Sequence, residues 1–112
     1  MWDIEEIKRD RATYDRKLFE SGRLFKDLED LEVTAFKDGA IPRKYKELMG
    51  LAVSLNVKCY PCVQFHVDAA MAAGATREDV LETLACAVAM GGAVTQVVAR
   101  FALKVLERWE DR

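Results

Sequence analysis

Apolar residues recur at helical spacing along most of this chain, and no segment shows the strict alternation that is typical of a half-buried strand. Near the N-terminus, Ile4, Ile7, Tyr14 and Leu18 follow the helical period with charged residues between them. Glycines and prolines divide the rest of the sequence into segments of helical length. The pattern therefore predicts an all-α fold of about six helices.

The predicted helix ends follow from proline, glycine and capping residues. Pro42 and Pro61 suit the first turn of a helix, where a missing N–H removes no helical hydrogen bond. Thr76 with Asp79 three residues later resembles a capping box. We expect helices over about residues 3–20, 24–36, 42–56, 61–73, 77–90 and 93–109. The apolar residues expected to face inward from the second helix are Phe25, Leu28, Leu31, Ala35 and Phe36.

Length and composition indicate one ordered domain. The chain has 112 residues, of which 51% are hydrophobic and 32% are charged. We expect a single domain over 1–112, with a core over about 25–106 and an N-terminal helix over about 3–20. The net charge of −2 gives no indication of nucleic-acid binding.

Residues 83–99 carry no charge, but this run is short for a membrane span and Gly91-Gly92 interrupts it. It is better explained as two buried helices. Charged residues also stand where the apolar part of a signal peptide would begin, so we expect none. Three cysteines, an odd number, favour a reducing cytoplasm over a secreted disulfide scaffold.

Residues 48–53 and 84–94 are apolar on nearly every helical face. A helix of this kind has to be covered on all sides, and a domain of this size has few such positions. We therefore expect subunit contacts to supply the missing cover, which predicts a homo-oligomer.

The residues that most suggest chemistry are Cys59 and Cys62, two thiols at the predicted start of the fourth helix. Cysteine pKa values fall at helix N-termini and in Cys-x-x-Cys pairs. His66, the only histidine, is one turn beyond Cys62 and suits proton transfer near neutral pH. Glu47 precedes an apolar stretch, and could either orient His66 or be an ordinary surface glutamate. The four residues predict a dithiol redox site.

Other interpretations of these residues are weaker but distinct. Cys59, Cys62, His66 and Glu47 could supply four zinc ligands, although structural zinc sites usually have a second closely spaced pair. A non-catalytic helical assembly module is the other alternative. Cys86 lies in an apolar segment and is expected to be a small buried hydrophobic residue. We expect no cofactor.

The segment from Lys46 to His66, continuing into residues 69–75, resembles the alkyl hydroperoxidase D-like family, part of the wider carboxymuconolactone decarboxylase group. The resemblance covers roughly residues 25–106. It implies an all-helical fold that assembles into trimers or hexamers. It also implies a thiol-dependent peroxidase or disulfide reductase that often serves a partner peroxiredoxin, with a dithiol as the reductant.

By position, Glu47, Cys59, Cys62 and His66 match the proton-relay and dithiol residues of that family. The relay of the family can include a further histidine just before the second cysteine, where this chain has Pro61. This difference puts full peroxidase activity in question. The helix dipole favours Cys59 as the attacking thiol, whereas the resemblance favours Cys62, which we prefer.

Overall fold

The computed structural model describes residues 2–112, and this part of the chain is built of helices and connecting turns without strands. The all-α prediction is confirmed, and the helix ends lie within one residue of those expected from the sequence. The helices are α1 (Ile4–Ser21), α2 (Arg23–Phe36), α3 (Arg43–Asn56), α4 (Tyr60–Ala72), α5 (Arg77–Gly91) and α6 (Ala93–Glu110).

Local capping explains where several helices begin. The predicted capping box of α5 is present, since Thr76 and Asp79 each accept a hydrogen bond from the backbone N–H of the other. The hydrogen bond from the Thr76 backbone N–H lowers the pKa of Asp79 below its ordinary value. Pro61 lies in the first turn of α4 as expected. Pro42 is the N-cap of α3 and precedes its first turn, because this helix begins at Arg43.

Internal contacts divide the chain into two compact units, one ending at Asp38 and the other spanning Gly39–Arg112. The description as one domain over 1–112 stays a prediction. In the first unit α1 packs against α2, and Ile7 is its buried apolar residue.

The predicted inward face of α2 is wrong for this chain taken alone, because α2 has no buried residue. Leu28 and Leu31 are 53% and 65% exposed, and Phe25 is 38% exposed. The physical reason is that α1, which packs against α2 within this unit, does not cover the apolar side of α2. The apolar pattern therefore predicted the helix correctly but predicted the burial of its residues wrongly.

The second unit is built around α3, which packs against α4, α5 and α6, while α6 also packs against α4 and α5. Each fully buried leucine or valine stabilises such a core by roughly 1.5–3 kcal/mol. The largest apolar side chains with almost no exposure are Leu51, Leu55, Val63, Val67, Val80, Val98, Val105 and Leu106.

Residues 48–53 are only partly covered within a single chain, and the expectation that subunit contacts supply the rest stays a prediction. Leu48 and Leu51 are buried, whereas Met49 and Val53 are 50% and 64% exposed. On α5, Met90 is 87% exposed. These side chains are half or more exposed within a single chain.

The charge-free run 83–99 forms the end of α5 and the start of α6, so the predicted helix pair is present. The predicted burial is wrong for a single chain, because Met90, Val94 and Val97 are 87%, 63% and 47% exposed. The two helices part at Gly92, whose φ of 78° lies in the left-handed region that glycine adopts readily. None of the helices in residues 2–112 has the length and hydropathy required to cross a membrane.

Candidate active site

Cys59 and Cys62 are joined by a disulfide at the start of α4, with their Cα atoms 5.2 Å apart. Cys59 is the N-cap residue, and its sulfur accepts a hydrogen bond of 3.3 Å from the backbone N–H of Cys62. Both cysteines are half-buried. The sequence spacing therefore brings the two sulfurs together where the unpaired N–H groups and the positive end of the helix dipole lie.

The turn between α3 and α4 delivers Cys59 to this position. The backbone N–H of Cys59 donates to the carbonyl of Ser54 (3.1 Å), and that of Lys58 donates to the carbonyl of Leu55 (3.3 Å). Lys58 has a φ of 60°, a left-handed conformation that is uncommon for a residue with a side chain. The connection is therefore a short, hydrogen-bonded turn with one strained residue directly before the first cysteine.

Glu47 and His66 are in direct contact, which links α3 to α4. Glu47 Oε1 lies 2.9 Å from His66 Nδ1. The glutamate side chain is 1% exposed and the histidine side chain is 18% exposed. Sequence alone left the orientation of Glu47 open, and the structure places it inside the protein beside the imidazole. The functional roles of the two residues stay predictions.

Arg43, one turn before Glu47 on α3, completes this arrangement. Its Nε donates to Glu47 Oε2 over 3.1 Å, and its side chain is 54% exposed. A guanidinium can only donate, so Glu47 must accept. A carboxylate that accepts at Oε1 as well places the hydrogen of this contact on His66 Nδ1. His66 Nε2 is then the nitrogen that can exchange a proton with another group.

Gly50 is a residue that the sequence analysis missed. A Cβ atom at this position would lie 2.7 Å from His66 Cε1, 2.8 Å from Nδ1 and 2.9 Å from Nε2. The imidazole thus lies directly against the backbone of α3, which only glycine allows. A signal was available, because a glycine inside a helix is unfavourable by about 1 kcal/mol relative to alanine and calls for a packing reason.

Aromatic rings pack beside the site residues. The Tyr60 ring packs edge-on against Phe101 at 5.3 Å between centroids, so it belongs to the α4–α6 contact. The Phe65 ring makes a similar edge contact with His66, also at 5.3 Å.

Cys86 is exposed, which overturns the prediction of a buried hydrophobic role. The buried positions of α5 are Val80, Leu84 and Ala87. Cys86 lies two residues after Leu84, about 200° around the helix, and so faces away from the core. Among residues 2–112, no group of three or more His, Cys, Asp or Glu side chains is arranged to hold a metal ion.

Comparison with known proteins places this site in a family. The model of the carboxymuconolactone decarboxylase family matches residues 20–105, which contain the cysteine pair, Glu47 and His66. The chain belongs to the carboxymuconolactone decarboxylase family. This confirms the resemblance seen in the sequence, and this member carries a Cys-x-x-Cys pair at disulfide distance.

Two curated relatives of this family member are uncharacterized proteins. One, from Cupriavidus necator, is 39% identical over 69 residues, which are 62% of this chain and 61% of the relative. The other, uncharacterized protein 4 in the cox locus of Paracoccus denitrificans, is 34% identical over 77 residues, or 69% of each protein. The chain thus matches less than two thirds of the length of the Cupriavidus protein.

Solved structures of family members share the fold. The crystal structure of an apo carboxymuconolactone decarboxylase family protein from Legionella pneumophila is 36% identical, with a TM-score of 0.88 over 94% of this chain and 95% of the other. A family protein from Thermotoga maritima, for which an involvement in antioxidative response has been suggested, is 26% identical. Its TM-score is 0.88 over 95% of this chain and 91% of the other.

Proposed function

We propose that this protein is a thiol-dependent antioxidant oxidoreductase that reduces a peroxide or a disulfide substrate by cycling Cys59 and Cys62 between dithiol and disulfide. The observation that carries the proposal is the bonded cysteine pair at the N-terminus of α4. His66 supports it, because this imidazole lies on the same helix as the pair and is in contact with the buried Glu47. The antioxidative involvement suggested for the Thermotoga protein points the same way.

In the proposed first step, the Cys62 thiolate attacks one oxygen of a hydroperoxide. The O–O bond breaks, the sulfur is oxidised to sulfenic acid, and the departing oxygen leaves as an alkoxide or hydroxide that takes up one proton. His66, one turn after Cys62, is the proposed source of that proton: its Nε2 takes the proton of the Cys62 thiol as the thiolate forms and then passes it to the departing oxygen. Glu47 stabilises the protonated imidazole through the hydrogen bond at Nδ1, and Arg43 compensates the charge of the buried carboxylate.

In the second step the Cys59 thiol condenses with the sulfenic acid. The S–S bond forms, the S–O bond breaks, and one water molecule leaves. An external dithiol then reduces the disulfide through a mixed disulfide, so that two electrons pass from the reductant to the two cysteines. The resulting couple is the Cys59–Cys62 disulfide and its dithiol.

The order of attack is tested by replacing each cysteine with serine. After treatment with one equivalent of peroxide, a sulfenic-acid reagent should label Cys62 in Cys59→Ser, and Cys59 should stay unlabelled in Cys62→Ser. Labelling of Cys59 alone would reverse the assignment. Metal analysis of protein purified without chelator belongs to the same experiment, because stoichiometric zinc on these residues would favour the zinc-site alternative.

Pro61 occupies the position where the related relay can hold a second histidine, so a protein partner is part of the proposal. Consumption of hydrogen peroxide and an organic hydroperoxide should be measured with a dithiol, and then repeated with a peroxiredoxin present. Turnover without the peroxiredoxin supports a peroxidase. Turnover only in its presence supports an electron carrier that reduces the disulfide of the peroxiredoxin.

We also propose that the protein acts as a homo-oligomer, either a trimer or a hexamer, in the cytoplasm. The apolar side chains left uncovered on the second unit support the assembly, among them Val53 (64% exposed), Met90 (87%) and Val94 (63%). Sedimentation at micromolar concentration tests it, and a species of monomer mass alone would contradict it. The odd number of cysteines supports a reducing compartment.

A further inference from the structure

The side chain of Lys58 ties the turn before Cys59 to the start of α6. Its Nζ donates to the backbone carbonyl of Asn56 (3.0 Å) and to Thr95 Oγ1 (3.2 Å). Within residues 2–112, Lys58 is the one non-glycine residue with positive φ. A left-handed backbone at such a residue is unfavourable unless other contacts hold it. The ammonium group provides contacts of this kind.

The acceptor of this contact belongs to a built polar network. Thr95 is fully buried, and its hydroxyl donates to Asn56 Oδ1 over 3.0 Å while it accepts from Lys58. Asn56 Nδ2 donates in turn to the carbonyl of Ala87 (3.3 Å). The network therefore joins the end of α3, the end of α5, the start of α6 and the turn that leads into α4.

A separate observation shows how closely this network is packed. A Cβ atom at Gly91 would lie 2.0 Å from both Asn56 Oδ1 and Thr95 Oγ1. These distances are far below van der Waals contact, so the two polar groups fit only because residue 91 is glycine. One of the two acceptors of Lys58 Nζ, the Thr95 hydroxyl, is thus buried and closely packed.

We propose that Lys58 is a positioning residue for the Cys59–Cys62 couple, which it stabilises in the disulfide form by holding the turn that carries Cys59. Cys62 lies on the regular backbone of α4. Movement of the Cys59 sulfur relative to the Cys62 sulfur therefore depends mainly on the turn before Cys59. A tethered turn keeps the two thiols close in the reduced protein, and a higher effective concentration favours the disulfide. The inference rests on the proposed function only in that the pair is redox-active.

The experiment measures the equilibrium between the purified protein and glutathione. One protein dithiol and one glutathione disulfide give one protein disulfide and two glutathione thiols, and acid quenching with alkylation counts the forms by mass. We expect Lys58→Met to lower this equilibrium constant about five- to tenfold, because it loses hydrogen bonds of a charged donor. Lys58→Arg, which keeps a cationic donor, should remain within about twofold of the unchanged protein.

Two further variants separate the side chain from the backbone. Lys58→Gly removes the ammonium group but accepts positive φ without strain, so it should fold and still show the lowered constant. Thr95→Val removes the acceptor and should also lower the equilibrium constant. The double variant Lys58→Met/Thr95→Val should give a constant no lower than that of the single variant with the larger effect. Lys104→Met, at an exposed position of α6, is the matched control and should leave the constant unchanged.

An unchanged constant in both Lys58→Met and Lys58→Gly would overturn the inference, as would additive effects of Lys58→Met and Thr95→Val. Failure of the unmodified protein to form the disulfide under any glutathione ratio would instead contradict the proposed function. The two failures are therefore distinguishable in one set of measurements.

Discussion

Gly50 allows the His66 ring to lie directly against α3, and alanine at this position should displace the ring. The added Cβ would come within 2.9 Å or less of three ring atoms. Because a histidine side chain rotates more easily than a helix backbone moves, we expect the ring to turn away and its hydrogen bond to Glu47 to be lost. Gly50→Ala therefore tests the Glu47–His66 contact without changing either residue.

The magnitude follows from two opposing effects. Alanine in place of glycine inside a helix stabilises the protein by about 1 kcal/mol. Loss of the His66 hydrogen bond to the buried Glu47 carboxylate, which keeps its bond from Arg43, destabilises it by about 1–3 kcal/mol. The free energy of unfolding should thus fall by about 2 kcal/mol at most, whereas a lost general acid should lower peroxide turnover by about 100-fold or more.

The assay combines dithiol-dependent peroxide consumption with urea unfolding. Gly39→Ala, outside the helices, is the control for an added methyl group that causes no clash, since a Cβ there meets only Lys46 Nζ at an ordinary 3.7 Å. On a Glu47→Gln background, Gly50→Ala should add little, because both changes act on the same proton relay. Full activity in Gly50→Ala, or an effect equal to that of Gly39→Ala, would refute the reasoning.

Three further outcomes are expected. Cys86→Ser should leave peroxide turnover and the redox disulfide unchanged, because Cys86 is exposed on α5; a loss of turnover would assign it a role in the reaction. The pKa of Asp79 is lowered in the folded protein, so its stabilising effect is present above about pH 4 and is lost as the pH falls. Urea unfolding of Asp79→Asn should accordingly differ from that of the unchanged protein more at about pH 7 than at about pH 3. Met90→Glu should shift sedimentation towards monomer if this 87% exposed side chain lies in a subunit contact, and an unchanged oligomer would place the contact elsewhere.

Some features were predictable because they depend on neighbours in sequence. Helix ends followed from Pro42, Pro61 and the Thr76–Asp79 capping box, whose effects are complete within one turn. The cysteine pair was also a local feature, since two thiols three residues apart at a helix start lie within bonding distance.

Burial was less predictable, because it depends on which elements lie alongside. The apolar spacing of α2 identified a helix, yet Leu28 and Leu31 are exposed in the single chain. Cys86 has apolar neighbours in sequence but faces away from the core. Periodicity shows that a side of a helix is apolar, whereas only the packed elements decide whether that side is covered.

The sequence by itself determined six helices, their ends and a thiol pair at the start of the fourth, because these depend on hydrogen bonds and side-chain spacing within a turn or two. The tertiary structure alone decided that Glu47 is buried beside His66, that Gly50 makes room for the ring, and that Lys58 reaches Thr95. Those contacts join residues 16 to 37 positions apart. Their formation depends on how α3 packs against α4 and α6, which no local pattern specifies.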